Sequence, residues 1–367
     1  MQSSSVSPSR RDLLTGIAAF GAGALLSRGV SLAQTPAANP RLIDIHRHFV
    51  SPAYLKVLNA KTGHKVDGFT GFFPLGPWMN YSPARDIETM DKQGIATSIV
   101  STTSPGTWFG DRDETRGLVR EMNEYGAKMT TDYKGRFGLF ALLPLPSVDD
   151  CLKEIEYAFD TLKADGVGLL TSNGSRYLGD AAFQPIFDEL NRRKAVVYTH
   201  PIDAPCCQNV STTGVTPTTL EFPTDTTRAI LSLIASAPNT PSPATRYGDC
   251  RFIFSHGGGT LPAIIGRVGV GGPDDLADNL SKPAAPNSRL DHLRRFYYDT
   301  AMATNPVQIG ALKMIAGASQ ILFGTDYPFG GDAVKHRQGL EKCGLNADEL
   351  HGIFRENAAK LLPQYKS

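Results

Sequence analysis

Leu42-Ile43-Asp44-Ile45-His46-Arg47-His48 is the stretch on which the fold turns. Its opening is apolar and β-branched, which favours a strand over Leu42–His46 running straight into a pair of histidines two residues apart. Seven further short runs of this kind follow: Ile95–Ser101, Phe137–Leu143, Val167–Leu170, Val196–Thr199, Phe252–Ser255, Phe296–Tyr298 and Ile321–Phe323. Between them lie segments of helical period. In Ser147–Ala164 the residues Leu152, Ile155, Ala158, Phe159 and Leu162 form one stripe, and Asp180–Lys194 and Thr224–Ser236 each open on a residue suited to capping. Eight successive strand–helix units with apolar strands imply a parallel sheet covered by helices, and a closed (β/α)8 TIM barrel is their simplest arrangement. An open, doubly wound sheet is the competing α/β architecture, but no Gly-rich dinucleotide turn follows the first strand.

Three stretches interrupt the pattern. Ser51–Ser82, an insertion after the first strand, carries Phe69, Phe72, Phe73, Trp78 and Tyr81 among several Gly and Pro residues. Gln208–Pro223 and Gly271–Ser288 read as Pro/Gly/Thr-rich loops. Insertions that follow strands emerge at the carboxyl face of a barrel, where sites are built. The aromatic insertion is therefore either a lid for a flat or apolar substrate, with Phe73 and Trp78 as contact candidates, or a cap that only packs.

The strand ends carry the chemistry. Residues two apart on a strand share a side, so His46 and His48 are expected to converge into the barrel mouth. Strand five runs into Tyr198-Thr199-His200-Pro201, strand six into Phe254-Ser255-His256-Gly257-Gly258-Gly259, and strand eight into Phe323-Gly324-Thr325-Asp326-Tyr327-Pro328. Imidazoles and a carboxylate gathered on one rim suit a divalent transition ion, Zn2+ and Mn2+ among them. Arg47 points away from the two histidines flanking it, and Asp299, at the end of strand seven, is placed either to orient a ligand or His256 or to form a salt bridge. The remaining histidines, His64, His292, His336 and His351, fall in loops or helices away from the strand ends.

In this order the H-x-H, His-Pro, F-S-H-G-G-G and G-T-D-Y-P motifs resemble the amidohydrolase superfamily, in its aminocarboxymuconate-semialdehyde decarboxylase-like branch. The resemblance runs from about Leu42 to Leu362. Three stretches, 162–172, 221–226 (Glu221-Phe222-Pro223-Thr224-Asp225-Thr226) and 296–301, are similar to 6-methylsalicylate decarboxylases. The resemblance implies that His46, His48, His200 and Asp326 hold one divalent ion, usually zinc, that His256 stands beside it as general acid/base, and that the chain forms a homodimer. Many hydrolytic members bridge two metals through a carbamylated lysine at the end of strand four. Here that strand ends Gly168-Leu169-Leu170-Thr171-Ser172, with no lysine, which favours a single ion.

Three functions fit these residues. The first is metal-dependent, non-oxidative decarboxylation of a salicylate-type hydroxyaryl or related unsaturated carboxylic acid. Protonating the ring carbon that bears the carboxylate gives a β-keto acid, which loses carbon dioxide readily; either Asp326 or His256 is placed to deliver that proton. The second is metal-dependent hydrolysis of a lactone, amide or ester, with the same ligands and a metal-bound water. The third is a non-catalytic, exported ligand-binding barrel.

Composition narrows the partners. The 367 residues include 37 Lys+Arg against 36 Asp+Glu, a net charge of +1, which offers no basic face for nucleic acid. No apolar run is long enough to span a bilayer. A small-molecule acid is thus the expected partner. Residues 1–33 read as an address: the Arg10-Arg11 pair, a mild Gly/Ala-rich apolar segment from Ile17 to Leu26, and small residues at Ser31 and Ala33. That order resembles a twin-arginine export signal, so residues 34–367 are expected to form a periplasmic barrel. Five cysteines, with Cys206 and Cys207 adjacent and no C-x-x-C pair, do not suggest a disulfide framework.

Overall fold

A computed structural model describes residues 41–61, 76–203, 214–272 and 274–366. Eight parallel strands pair in chain order: β1 (Leu42–His48), β2 (Ile95–Ser101), β3 (Phe137–Leu142), β4 (Gly166–Leu170), β5 (Val196–His200), β6 (Arg251–Phe254), β7 (Tyr297–Asp299) and β8 (Ile321–Leu322). The sheet closes where β1 meets the segment after β8. The Ile45 amide donates to the Phe323 carbonyl (2.9 Å), the Asp326 amide to His46 (2.9 Å), and the His48 amide to Tyr327 (2.9 Å). This is a TIM barrel with the eight strands the sequence leads one to expect.

Two apolar layers hold it. Inside, Ile43, Ile45, Phe140, Tyr198, Ile253 and Leu322 fill the barrel, and Ala358, Ala359 and Leu362 from the C-terminal helical segment close its floor. Outside, helices pack on the strands. The helix Arg112–Asp132 is capped by the Asp111 carboxylate accepting from the Glu114 amide (2.7 Å) and buries Leu118, Val119, Met122 and Met129.

Several expectations change in detail. Strand β1 continues through His48, with a register shift between Asp44 and Arg47. The extra residue breaks the pleat, so Ile45 belongs to the inner cluster while His46 and His48 both reach the rim. The Ser147–Ala164 helix is α-helical over Val148–Glu156 and widens to a π-turn over Tyr157–Thr161. The 208–223 loop is corrected: a helix begins at Pro217, not Thr224, and runs to Ile234 with Pro223 inside it. The Pro223 carbonyl is turned to neighbours outside the helix ladder, accepting from the Thr260 amide (3.1 Å) and the Thr227 hydroxyl (3.1 Å). The 271–288 segment likewise contains a short helix, Leu276–Ser281.

In the aromatic insertion the helices Pro52–Lys61 and Gly76–Met79 are formed, whereas Phe69, Phe72 and Phe73 lie outside the described residues, as do Cys206, Cys207 and His64. Cys151, Cys250 and Cys343 are free and buried, and burial pushes their thiols up. No helix among the described residues is long and apolar enough to cross a membrane.

Candidate active site

Side chains from three strand ends meet at one point. The Nε2 atoms of His46 and His48 lie 3.0 Å apart, and the Asp326 Oδ1 sits 3.2 Å from the first and 3.1 Å from the second. With His200 these residues offer one ligand atom each, all within 4.8 Å of one another. Two imidazole nitrogens and a carboxylate oxygen are turned on one spot. Ligands about 2.0–2.2 Å from a shared ion stand about 2.8–3.6 Å apart, over octahedral to tetrahedral angles, so the donor set fits a single divalent cation. Strand β4 runs into Thr171, whose hydroxyl is tied to the Asp225 carboxylate, so no bridging group for a second ion enters from there.

Each ligand is held from behind. His46 Nδ1 donates to the Asp299 Oδ2 (2.8 Å), which turns Nε2 toward the cation site. His200 Nδ1 donates to the Pro201 carbonyl (2.8 Å), with the same effect. Asp326 adopts φ 63, a left-handed conformation that costs a non-glycine residue about 1–3 kcal/mol. The neighbouring hydrogen bonds impose it: the Asp44 carboxylate accepts from the Thr325 amide (3.1 Å) and hydroxyl (2.7 Å), and the Phe329 and Gly330 amides donate to the Asp326 carbonyl (both 2.8 Å).

His256 stands against this group, its ring 4.9 Å from that of His46 and 5.5 Å from that of His200. It too is left-handed, at φ 55. Its Nδ1 donates to the Ala301 carbonyl (3.1 Å) and its amide to the Asp299 Oδ1 (3.0 Å), so Asp299 orients both His46 and His256. Gln308 donates to the His256 carbonyl (2.8 Å), a contact that no sequence motif announces because Gln308 lies on a helix 52 residues away.

Charge follows burial and neighbours. Burial pushes His48, His200 and His256 down, keeping these rings neutral. His46 is also disfavoured by burial, but the Asp299 and Asp326 carboxylates outweigh it and lift its value to about 10. Burial opposes ionisation of Asp326 as well; its contacts with His46 and His48 prevail and hold the carboxyl well below the usual carboxylate range.

Above the ligands opens a cavity of about 910 Å³, bounded by His200, His256 and Asp326 below and by Phe222, Phe329 and Met302 among others above. Trp78 does not line it. The indole is buried at 1% exposure and packs edge-on against Phe329 at 5.1 Å, so it backs the wall that its neighbour Pro77 helps to form. Arg47 points away as expected, donating to Asp86 (2.7 Å) and Asp44 (3.2 Å) under the Tyr327 ring. His292, His336 and His351 sit on helices, outside the ligand group.

The sequence from residue 43 to 364 matches the Amidohydrolase family. The chain belongs to that family. Among its relatives is a 6-methylsalicylic acid decarboxylase of Penicillium expansum, 35% identical over 330 residues, covering 88% of this chain and 97% of the relative. The decarboxylase macB of Penicillium terrestre is 32% identical over 342 residues, covering 88% and 95%. As an amidohydrolase-family barrel it also superposes on the solved structure of a dihydroxybenzoic acid decarboxylase from Polaromonas, with manganese and 2-nitroresorcinol bound. There the TM-score is 0.71 and the identity 21%, over 89% of this chain and 98% of that one.

Proposed function

We propose that this protein is a metal-dependent, non-oxidative decarboxylase of hydroxyaryl carboxylic acids. The observation that carries the reading is the bare Nε2 of His256, fixed beside a complete one-ion ligand set and open to the cavity above it. The two decarboxylase relatives support it. His46, His48, His200 and Asp326 would hold the cation, and Zn2+ and Mn2+ both suit two or three imidazoles with a carboxylate. When bound, the ion supplies Lewis acidity toward a carboxylate and the hydroxyl ortho to it.

The tautomer of His256 sets the order of proton moves. Because Nδ1–H is committed to Ala301, the neutral ring begins as an acceptor at Nε2 and takes the phenolic proton. The same Nε2–H then delivers that proton to the ring carbon bearing the carboxylate. The resulting β-keto carboxylate breaks its carbon–carboxylate bond; carbon dioxide leaves, the bonding pair restores the aromatic ring as a phenolate, and solvent returns the final proton. Asp326 is the poorer proton source, since its carboxyl is held ionised by His46 and His48. Asp299 keeps His256 aimed through the His256 amide.

The experiment uses protein of measured metal content and follows carbon dioxide release from 6-methylsalicylate, salicylate and dihydroxybenzoates, with aryl lactones alongside. The reading expects release from at least one hydroxybenzoate, falling about 10²–10⁴-fold in His256→Ala with metal content unchanged. Cleavage of lactones alone would assign hydrolysis instead.

A further inference from the structure

The cavity is larger and less polar than a bare hydroxybenzoate requires. A volume of about 910 Å³ stands at the upper end of the roughly 300–1,000 Å³ that encloses a drug-sized ligand, whereas a salicylate has ten heavy atoms. Its inner end holds His200, His256 and Asp326, and every charged or titratable side chain of the described lining is there. The polar groups nearest them are engaged within the protein: Gln308 with the His256 carbonyl (2.8 Å), Thr260 with Thr227 (2.9 Å), and Thr103 with His200 (3.2 Å). The outer end carries no charge: Phe222, Pro262, Ala263, Met302, Val307 and Ala311 form its apolar wall, beside the neutral side chains of Thr218, Thr219 and Asn305.

Two of these residues have no packing reason for their identity. Met302 is 63% exposed and Val307 81% exposed, yet both face the cavity. Met302 is held at φ 54, a left-handed conformation unfavourable for a long side chain. Its sulfur lies over Gly330, where a Cβ would approach it to 2.6 Å, so the segment after Asp326 leaves room for the thioether at the mouth. A strained, solvated methionine on the wall of a reaction pocket gains its apolar contact when a ligand covers it.

We infer that the substrate carries one carboxylate and, on the same ring, an extended uncharged apolar substituent that runs along Met302 and Val307 toward the mouth. This rests on the decarboxylase reading for the carboxylate end and goes beyond it for the rest of the molecule. No lysine or arginine lines the described cavity, so a second carboxylate there would lie unpaired against apolar wall and be rejected. Selection thus comes from attraction to an alkyl or aryl tail together with exclusion of ring dicarboxylates.

Two arms test it. In the first, binding of 3-alkylphenols from methyl to pentyl is measured by calorimetry on metal-free and metal-loaded protein; these probes lack the carboxylate and do not need the ion. Affinity should rise about fourfold per methylene, the increment of burying one CH2. In Met302→Ser and Val307→Asn the pentyl-to-methyl affinity ratio should fall at least threefold. In the second arm kcat/KM for carbon dioxide release is compared across methyl- to pentyl-substituted salicylates and a carboxysalicylate. The inference expects a rise with chain length and turnover of the carboxysalicylate reduced at least a hundredfold. Affinity that is flat or falls with chain length, or equal turnover of the dicarboxylate, would overturn it. Rising phenol affinity without carbon dioxide release from any salicylate would sustain the apolar cleft while removing the decarboxylase reading.

Discussion

His46 carries the proton that an incoming cation has to displace. Burial alone would strip it, but the Asp299 and Asp326 carboxylates hold its value at about 10, while His48 and His200 are pushed down and Asp326 is kept ionised. Below that value metal-free His46 is protonated and the cation must compete with the proton; above it the competition ends. Between about pH 7 and 9, therefore, metal uptake should release close to one proton and apparent affinity should rise about tenfold per pH unit. Titration calorimetry in buffers of different ionisation heat measures both, and affinity independent of pH over that range would contradict the assignment. Asp299→Asn tests the support behind the ligand. An amide can offer the His46 Nδ1 either a donor or an acceptor, so the tautomer is no longer fixed, and metal affinity in a chelator competition should weaken about 10–100-fold. The pairing of His46 with His48 was legible in the H-x-H spacing. That Asp299 would serve His46 and His256 together was not, because 253 residues separate it from His46 and only the closure of the barrel joins them.

Among the elements, the turn after β6 shows where packing overrode local pattern. Pro223 looked like the end of a loop, since a proline removes a backbone donor from a helix interior. It sits inside Pro217–Ile234, where its carbonyl meets the Thr260 amide across the His256-Gly257-Gly258-Gly259 turn. A Cβ on Gly259, at φ +68, would stand 1.9 Å from that same carbonyl. Gly259→Ala should therefore separate the helix from the turn, with about 1–3 kcal/mol lost to the backbone conformation alone. A urea midpoint lowered at unchanged slope would register this, and an unchanged midpoint would show that the contact is dispensable. The strands were legible to within a residue or two because they are apolar runs bounded by polar ends. The β1 register shift was not, since pairing with β2 is a property of two segments and neither one displays it alone.

At the scale of the whole molecule, the four ligands come from β1, β5 and the segment after β8, which makes the ion a clasp across the barrel's closing seam. Removing it should destabilise the entire domain. With free metal at 100 times its dissociation constant, linkage gives about 2.7 kcal/mol. A chelator should lower the melting temperature accordingly, with recovery on adding Zn2+ or Mn2+; a melting temperature indifferent to chelation would place no cation on this seam. The sequence by itself determined the number and order of the strand–helix units, the residue types at their ends and the lack of charge for a polyanionic partner, because period, apolarity and composition are local quantities. Only the tertiary structure decided which nitrogen of each histidine faces the site, that Trp78 backs a wall it does not line, and that the cavity's far end is uncharged. Those depend on atoms far apart in sequence meeting at distances of about 3 Å, which a chain acquires only when the barrel closes.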